Sequence, residues 1–125
     1  RFIKMSEEQI EKQIQAKGLN APRITPDQLD SKIKNVYYHS PLANADPKQA
    51  MDEKTYQALR CLTFCTIVLE NGFTVTGESA CVAPENFDPF IGQEVAYKNA
   101  REKIWQLEGY LLKEKLYQAD LDKQF

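Results

Sequence analysis

On either side of Asn71-Gly72 the chain runs in two stretches where apolar residues recur at every second position, from Leu62 to Leu69 and from Phe73 to Val82. Asn-Gly between such runs is the strongest short-range hairpin signal, because both central residues of a two-residue turn need positive φ. The spacing predicts one antiparallel hairpin over about 61–82, with Glu70 opposite Phe73, Val68 opposite Val75, Phe64 opposite Ser79 and Leu62 opposite Cys81. Leu62, Phe64, Val68, Phe73 and Val75 then form a core face. The other face carries Cys61, Cys65, Ile67, Leu69, Thr74, Thr76, Glu78, Ala80 and Val82, too apolar to stand uncovered in water. Two strands are not stable alone. The cover is therefore helices of this chain, strands of a second copy, or both.

After Ala83-Pro84 the period changes from two to 3.6. Asp88 as cap and Pro89 at the first helical position open a helix over about 89–118. Ala96, Ala100, Ile104, Leu107 and Leu111 form one stripe, suited to close packing on the hairpin. Val95, Trp105, Leu112 and Leu116 lie on another part of the circumference. Gly92 and Gly109 each cost a helix roughly 1 kcal/mol relative to alanine, which suggests close approach of another backbone or a ligand. A helix apolar on two sides serves two surfaces, which leaves Trp105, Leu112 and Leu116 for a second copy or for the amino-terminal helices; with Gly109 they are the candidate homo-oligomer interface.

Upstream, Ser6-Glu7-Glu8-Gln9 and Thr25-Pro26-Asp27-Gln28 both have the form of a capping box, with Met5/Ile10 and Ile24/Leu29 as staples. The first helix should stop near Gly18. Leu29, Ile33 and Val36 continue the second at helical spacing. Asn35 to Asp46 shows neither period and reads as a loop, in which Tyr37, Tyr38 and His39 either stack on a ring or anchor the loop to the core. Asp46-Pro47-Lys48-Gln49 resembles a third helix start, running through Tyr56. The expected fold is α+β in a single domain, 1–125: helical over 5–58, hairpin plus long helix over 59–125. Residues 1–4 precede Met5, the expected initiator, and read as tag or upstream sequence.

Composition narrows the function. Sixteen basic against eighteen acidic residues give a net charge of -2, unlike the basic balance of a nucleic-acid backbone binder. No apolar run is long enough to span a membrane, no signal-peptide core precedes the first helix, and the expected location is the cytoplasm. Cys61, Cys65 and Cys81 are an odd set without a Cys-x-x-Cys pair, read as buried free thiols. With one histidine, His39, no metal box forms, and no metal or cofactor is expected. Glu78 lies opposite Cys65 among small and apolar neighbours, a setting that marks either a functional carboxylate or a rim residue reaching water. No nucleophile elbow, phosphate loop or carboxylate pair is present, so an enzyme is not expected.

One further signal comes from residue order. Asn71-Gly72-Phe73, Gly77-Glu78-Ser79-Ala80-Cys81, Glu85-Asn86-Phe87-Asp88, Ile91-Gly92, Lys103-Ile104-Trp105 and Gly109-Tyr110 together resemble the small phage protein family named after gene product 49 of one tailed phage and gene 66 of another. The resemblance covers Leu62 to Leu116, and Ser6 to Pro26 is also similar. It implies phage or prophage origin and expression in a bacterial cytoplasm, with no established reaction attached.

Two function classes follow. The order strand, Asn-Gly turn, strand, acidic-Asn segment and tryptophan-bearing helix is loosely similar to phage sponges that sequester cyclic-nucleotide or cyclic-ADP-ribose signals. By that analogy, Phe87 or Tyr97 stacks on a base, Lys98 or Arg101 meets phosphate, and Asn86 or Asn99 reads polar edges in a pocket between protomers. The plainer reading, and the one the residue types favour, makes Phe87 and Trp105 core and Lys98 and Arg101 solvated helix charges. The second class is a small inhibitor or adaptor of a host protein, docking through a hairpin edge or the spare helix stripe.

Overall fold

The computed structural model describes residues 5–124, and the reading of residues 1–4 as upstream sequence lies outside them. Along the chain run α1 (Glu7–Ala16), α2 (Pro26–Ser31), β1 (Ile33–His39), α3 (Glu53–Arg60), β2 (Leu62–Leu69), β3 (Thr74–Ala80) and α4 (Pro89–Asp122). The architecture is α+β: short helices, a three-stranded antiparallel sheet in the order β1-β2-β3, and one long helix. Two compact units emerge, Ile33–Ile104 and Arg1–Lys32 with Trp105–Phe125, so α4 contributes residues to both.

In the sheet unit the hairpin forms, but with a register different from the expected one. Leu69 N–H donates to Phe73 O at 2.8 Å and Gly72 N–H to Leu69 O at 2.9 Å, closing a three-residue loop of Glu70, Asn71 and Gly72. Gly72 alone takes positive φ, +88°, where a side chain would be strained. Asn71 instead uses its carboxamide oxygen to accept from Phe73 N–H at 3.0 Å. The third loop residue moves every pair by one. Val68 meets Thr74, Ile67 meets Val75, Cys65 meets Gly77 and Phe64 meets Glu78.

A slip of one exchanges the faces of one strand against the other. Thr63, Cys65, Ile67 and Leu69 are buried together with Val75 and Gly77, while Leu62, Phe64, Thr66 and Val68 are half-exposed on the open face. Phe73, expected in the core, is exposed. The covered face packs on α4, where Ala96, Ala100 and Ile104 are fully buried. A Cβ at Gly77 would run into the backbone of Ala96 and Ala100, so strand and helix meet backbone to backbone there. The small-residue stripe does pack on the hairpin, up to Ile104. Leu107 and Leu111, further along it, are exposed and belong to the other unit.

The third strand occupies part of the expected loop. The helix that Leu29, Ile33 and Val36 suggested ends at Ser31, and Ile33–His39 pairs antiparallel with β2, with a bulge between Ile33 and Asn35. β-Branched and aromatic residues dominate this run, and an edge strand shows weak alternation because only part of one face is covered. Helix α3 starts at Asp52, whose carboxylate accepts from Thr55 N–H at 2.7 Å. Asp46 caps only a turn, accepting from Lys48 N–H at 2.9 Å.

In the terminal unit both expected capping boxes are present, Ser6 with Gln9 and Thr25 with Gln28. Arg23 clamps Glu11 through two bonds of 2.6 and 2.7 Å. Trp105 is half-buried and donates from Nε1 to Glu7 Oε2 at 3.1 Å, and Leu29 is fully buried.

Candidate functional site

Within the sheet unit one cavity of about 320 Å³ opens where β1 and β2 meet the loop before α4. Its polar wall comes from Tyr38, His39, Arg60 and Gln93, and its apolar wall from Leu62 and Phe87. Each side chain is delivered by a different piece of local structure. β1 ends at His39, α3 ends at Arg60, and Gln93 stands one turn after Pro89 on the same helix face.

Arg60 is the fixed cation of this cavity. Its Nε donates to Gln57 Oε1 at 2.8 Å and its Nη2 to Pro84 O at 3.1 Å, and the guanidinium lies 5.8 Å from the centre of the Phe87 ring. Nη1 has no partner among the described residues. An arginine held by two hydrogen bonds and an aromatic face is preorganised for a planar anion such as phosphate or carboxylate. His39 is held as well, its Nε2 3.1 Å from Thr66 Oγ1 and its ring stacked on Phe64 with centroids 5.7 Å apart. Burial pushes the Tyr38 phenol up, with Cys65, Tyr97 and Glu94 adding to the effect, so Tyr38 keeps its proton at neutral pH and is available as a donor.

The start of α4 closes the floor. Asp88 accepts from Phe90 N–H at 2.8 Å and Ile91 N–H at 3.0 Å, so the first amides of the helix are already capped. A Cβ on Gly92 would come within 2.7 Å of Thr63 Oγ1, which explains the glycine by close approach to β2. Gly109 differs: nothing lies within 4 Å of its hypothetical Cβ, so close packing within the chain does not account for it.

The sequence-predicted ligand residues are not gathered into one place. Phe87 lines the cavity. Tyr97 and Arg101 are joined to each other, Arg101 Nη1 donating to the Tyr97 hydroxyl at 3.1 Å, and Arg101 is buried, 8% exposed, rather than facing solvent or a phosphate. Asn99 donates from Nδ2 to Glu78 O at 2.8 Å. Because Leu69 bonds Phe73 and Cys81 bonds Cys61, odd-numbered residues of β3 face β2, and the Glu78 carbonyl points to the open edge. Asn99 therefore covers a sheet edge. The Glu78 side chain is exposed opposite Phe64, not enclosed opposite Cys65, a direct result of the register. Lys98 and Asn86 are exposed.

Of the cavity residues, the sequence marks Phe87, Tyr38 and His39 as candidates, and no local signal marks Arg60 or Gln93. Arg60 ends a short helix in a part of the chain without sequence periodicity, and only the fold brings it over Phe87. The three thiols are free, Cys61 and Cys65 buried, and burial pushes the Cys65 thiol up. Among the described residues no three His, Cys, Asp or Glu side chains converge as a metal site, and no helix is long and apolar enough to cross a membrane.

The model of the Phage protein (N4 Gp49/phage Sf6 gene 66) family matches residues 24–116, a span that includes every residue of the cavity. No curated protein and no solved structure matches the chain.

Proposed function

The chain belongs to that phage protein family, and on that premise we propose that it is a non-enzymatic phage accessory protein that sequesters a cyclic-nucleotide or cyclic-ADP-ribose-type signal. The observation that carries the reading is Arg60, braced by Gln57, Pro84 and Phe87 at the wall of a cavity that also offers Tyr38, His39 and Gln93. A fixed guanidinium takes the phosphate, and neighbouring aromatic and amide groups take the base. The phosphate role thus passes from Lys98 and Arg101 to Arg60. At about 320 Å³ the cavity is at the small end of ligand sites, so one protomer holds one nucleotide unit. The rest of a cyclic ligand then lies against a second copy.

A thermal-shift screen against cyclic dinucleotides, cyclic trinucleotides and cyclic-ADP-ribose isomers tests this. A ligand that binds only the native state at a hundredfold excess over Kd adds about 2.7 kcal/mol of apparent stability. The expected result is a rise in Tm with one ligand class and its loss in Arg60→Ala. A flat response across the whole panel rejects the reading. A second reading, adaptor of a host protein, draws on the start of α4, where Phe90 and Ile91 are 76% and 64% exposed. Clean protein that captures one host partner, lost in Phe90→Ser, would favour it.

A further inference from the structure

We infer that Gln93 reads the base of the ligand and selects adenine over guanine; the inference rests on the nucleotide reading of the Arg60 cavity. Three polar side chains of the cavity are engaged within the chain. Arg60 is bonded to Gln57 and Pro84, His39 Nε2 lies at Thr66, and Ser40 Oγ accepts from Leu42 N–H at 3.3 Å. Gln93 is different. It lines the same cavity half-buried, and its carboxamide makes no hydrogen bond among the described residues. A half-buried amide without a partner inside the chain, its polar atoms open to the cavity, can meet a ligand carrying one donor beside one acceptor.

Its backbone is held in place. Pro89 sets the first turn of α4, Asp88 caps it, and Gly92 seats the helix against Thr63. A reading group on so fixed an element discriminates more sharply than one on a mobile loop. Adenine presents its N6 amino donor next to the N7 acceptor, which a glutamine amide meets with two bonds. On the same edge guanine presents two acceptors, O6 and N7, and leaves the amide oxygen facing a lone pair. Arg60 cannot make this distinction, because phosphate is common to both nucleotides.

Calorimetric titration of the full chain with cyclic di-AMP and with cyclic di-GMP decides the matter, using wild type, Gln93→Ala and Gln93→Glu. Wild type should prefer the adenine probe by roughly 5- to 100-fold, the range of one good bidentate base contact. Gln93→Ala should bring the two affinities together by weakening the adenine probe. Gln93→Glu, which accepts but no longer donates, should favour guanine through its N1–H and N2–H donors. Equal wild-type affinities, or an adenine preference that survives Gln93→Ala, overturns the assignment while leaving the nucleotide site standing. Failure of both probes and of the wider panel to bind wild type removes the site and the inference together. If Gln93→Glu does not fold, the wild-type ratio and Gln93→Ala still give the answer.

Discussion

The two units of this chain are held together by different physics. The sheet unit owns almost all of the buried interior, with Cys61, Cys65, Ile67, Leu69, Val75, Ala96, Ala100 and Ile104 removed from water. In the terminal unit Leu29 is the one fully buried apolar residue among those described. There the visible ties are polar: two capping boxes, the Arg23–Glu11 clamp and the bond from Trp105 to Glu7. A cap is worth about 1 kcal/mol and an exposed ion pair about 0–1 kcal/mol, whereas burying one Ile or Leu side chain is worth about 1.5–3 kcal/mol. The candidate cavity therefore stands on the rigid unit. The terminal helices hold together by weak, separable contacts and keep apolar side chains such as Tyr110 and Tyr117 exposed.

The sharpest way to break this comparison is to truncate each unit in turn. Ile67→Ala should lower unfolding stability by about 2–5 kcal/mol, since a fully buried isoleucine leaves a cavity in a sheet packed on both strands. Leu19→Ala in the terminal unit should stay within about 0.5 kcal/mol, because Leu19 is more than half exposed. Urea midpoints measure both, and equal losses would show that the units share one source of stability. Between these extremes lies Ser6→Ala, which removes the oxygen that accepts from Gln9 N–H at 3.2 Å and should cost about 1 kcal/mol or less. Hydrogen exchange should show that cost in the amides of α1 alone, with β2 unaffected. Slower exchange in α1 than in β2 would reverse the proposed order of rigidity.

How much of this was legible in the sequence divides along a physical line. The caps at Ser6 and Thr25, the stop at Gly18, the Asp88-Pro89 start and the Ala96-Ala100 stripe depend on residues a few positions apart, and all are present. The hairpin was legible as well, but its turn was not, because Asn71 prefers an Asx bond to Phe73 over a second positive φ and lengthens the loop by one. That single residue also relocated Glu78. Strand β1 was hidden because an edge strand draws its order from β2, whose paired residues lie 25 or more positions away along the chain. For the same reason the site was legible only in part, at Phe87, Tyr38 and His39. Arg60 and Gln93 acquire meaning from the packing of α3 and α4 around β2, which no local spacing records.

The smallest effect separates the units by acid. Asp52 in the sheet unit is held below the ordinary aspartate range by the backbone N–H and then the side chain of Thr55, and Glu11 in the terminal unit below the ordinary glutamate range by its bonds to Arg23. A carboxylate depressed in the folded state contributes its stabilisation in full above its unfolded pKa. That contribution is lost as pH falls from about 4 downward through the depressed folded value. Asp52→Asn keeps a good N-cap without a titrating proton, and Glu11→Gln removes both the ion pair and its titration. Residue-resolved NMR during acidification should therefore show α3 losing its acid dependence in Asp52→Asn while α1 keeps it, and the converse in Glu11→Gln. Because both side chains are solvent-accessible, each change is small and is screened further by salt. If either substitution altered the acid response of both units alike, α1 and α3 would be coupled parts of one cooperative structure, and the contrast between a rigid sheet unit and a separable helical one would fail.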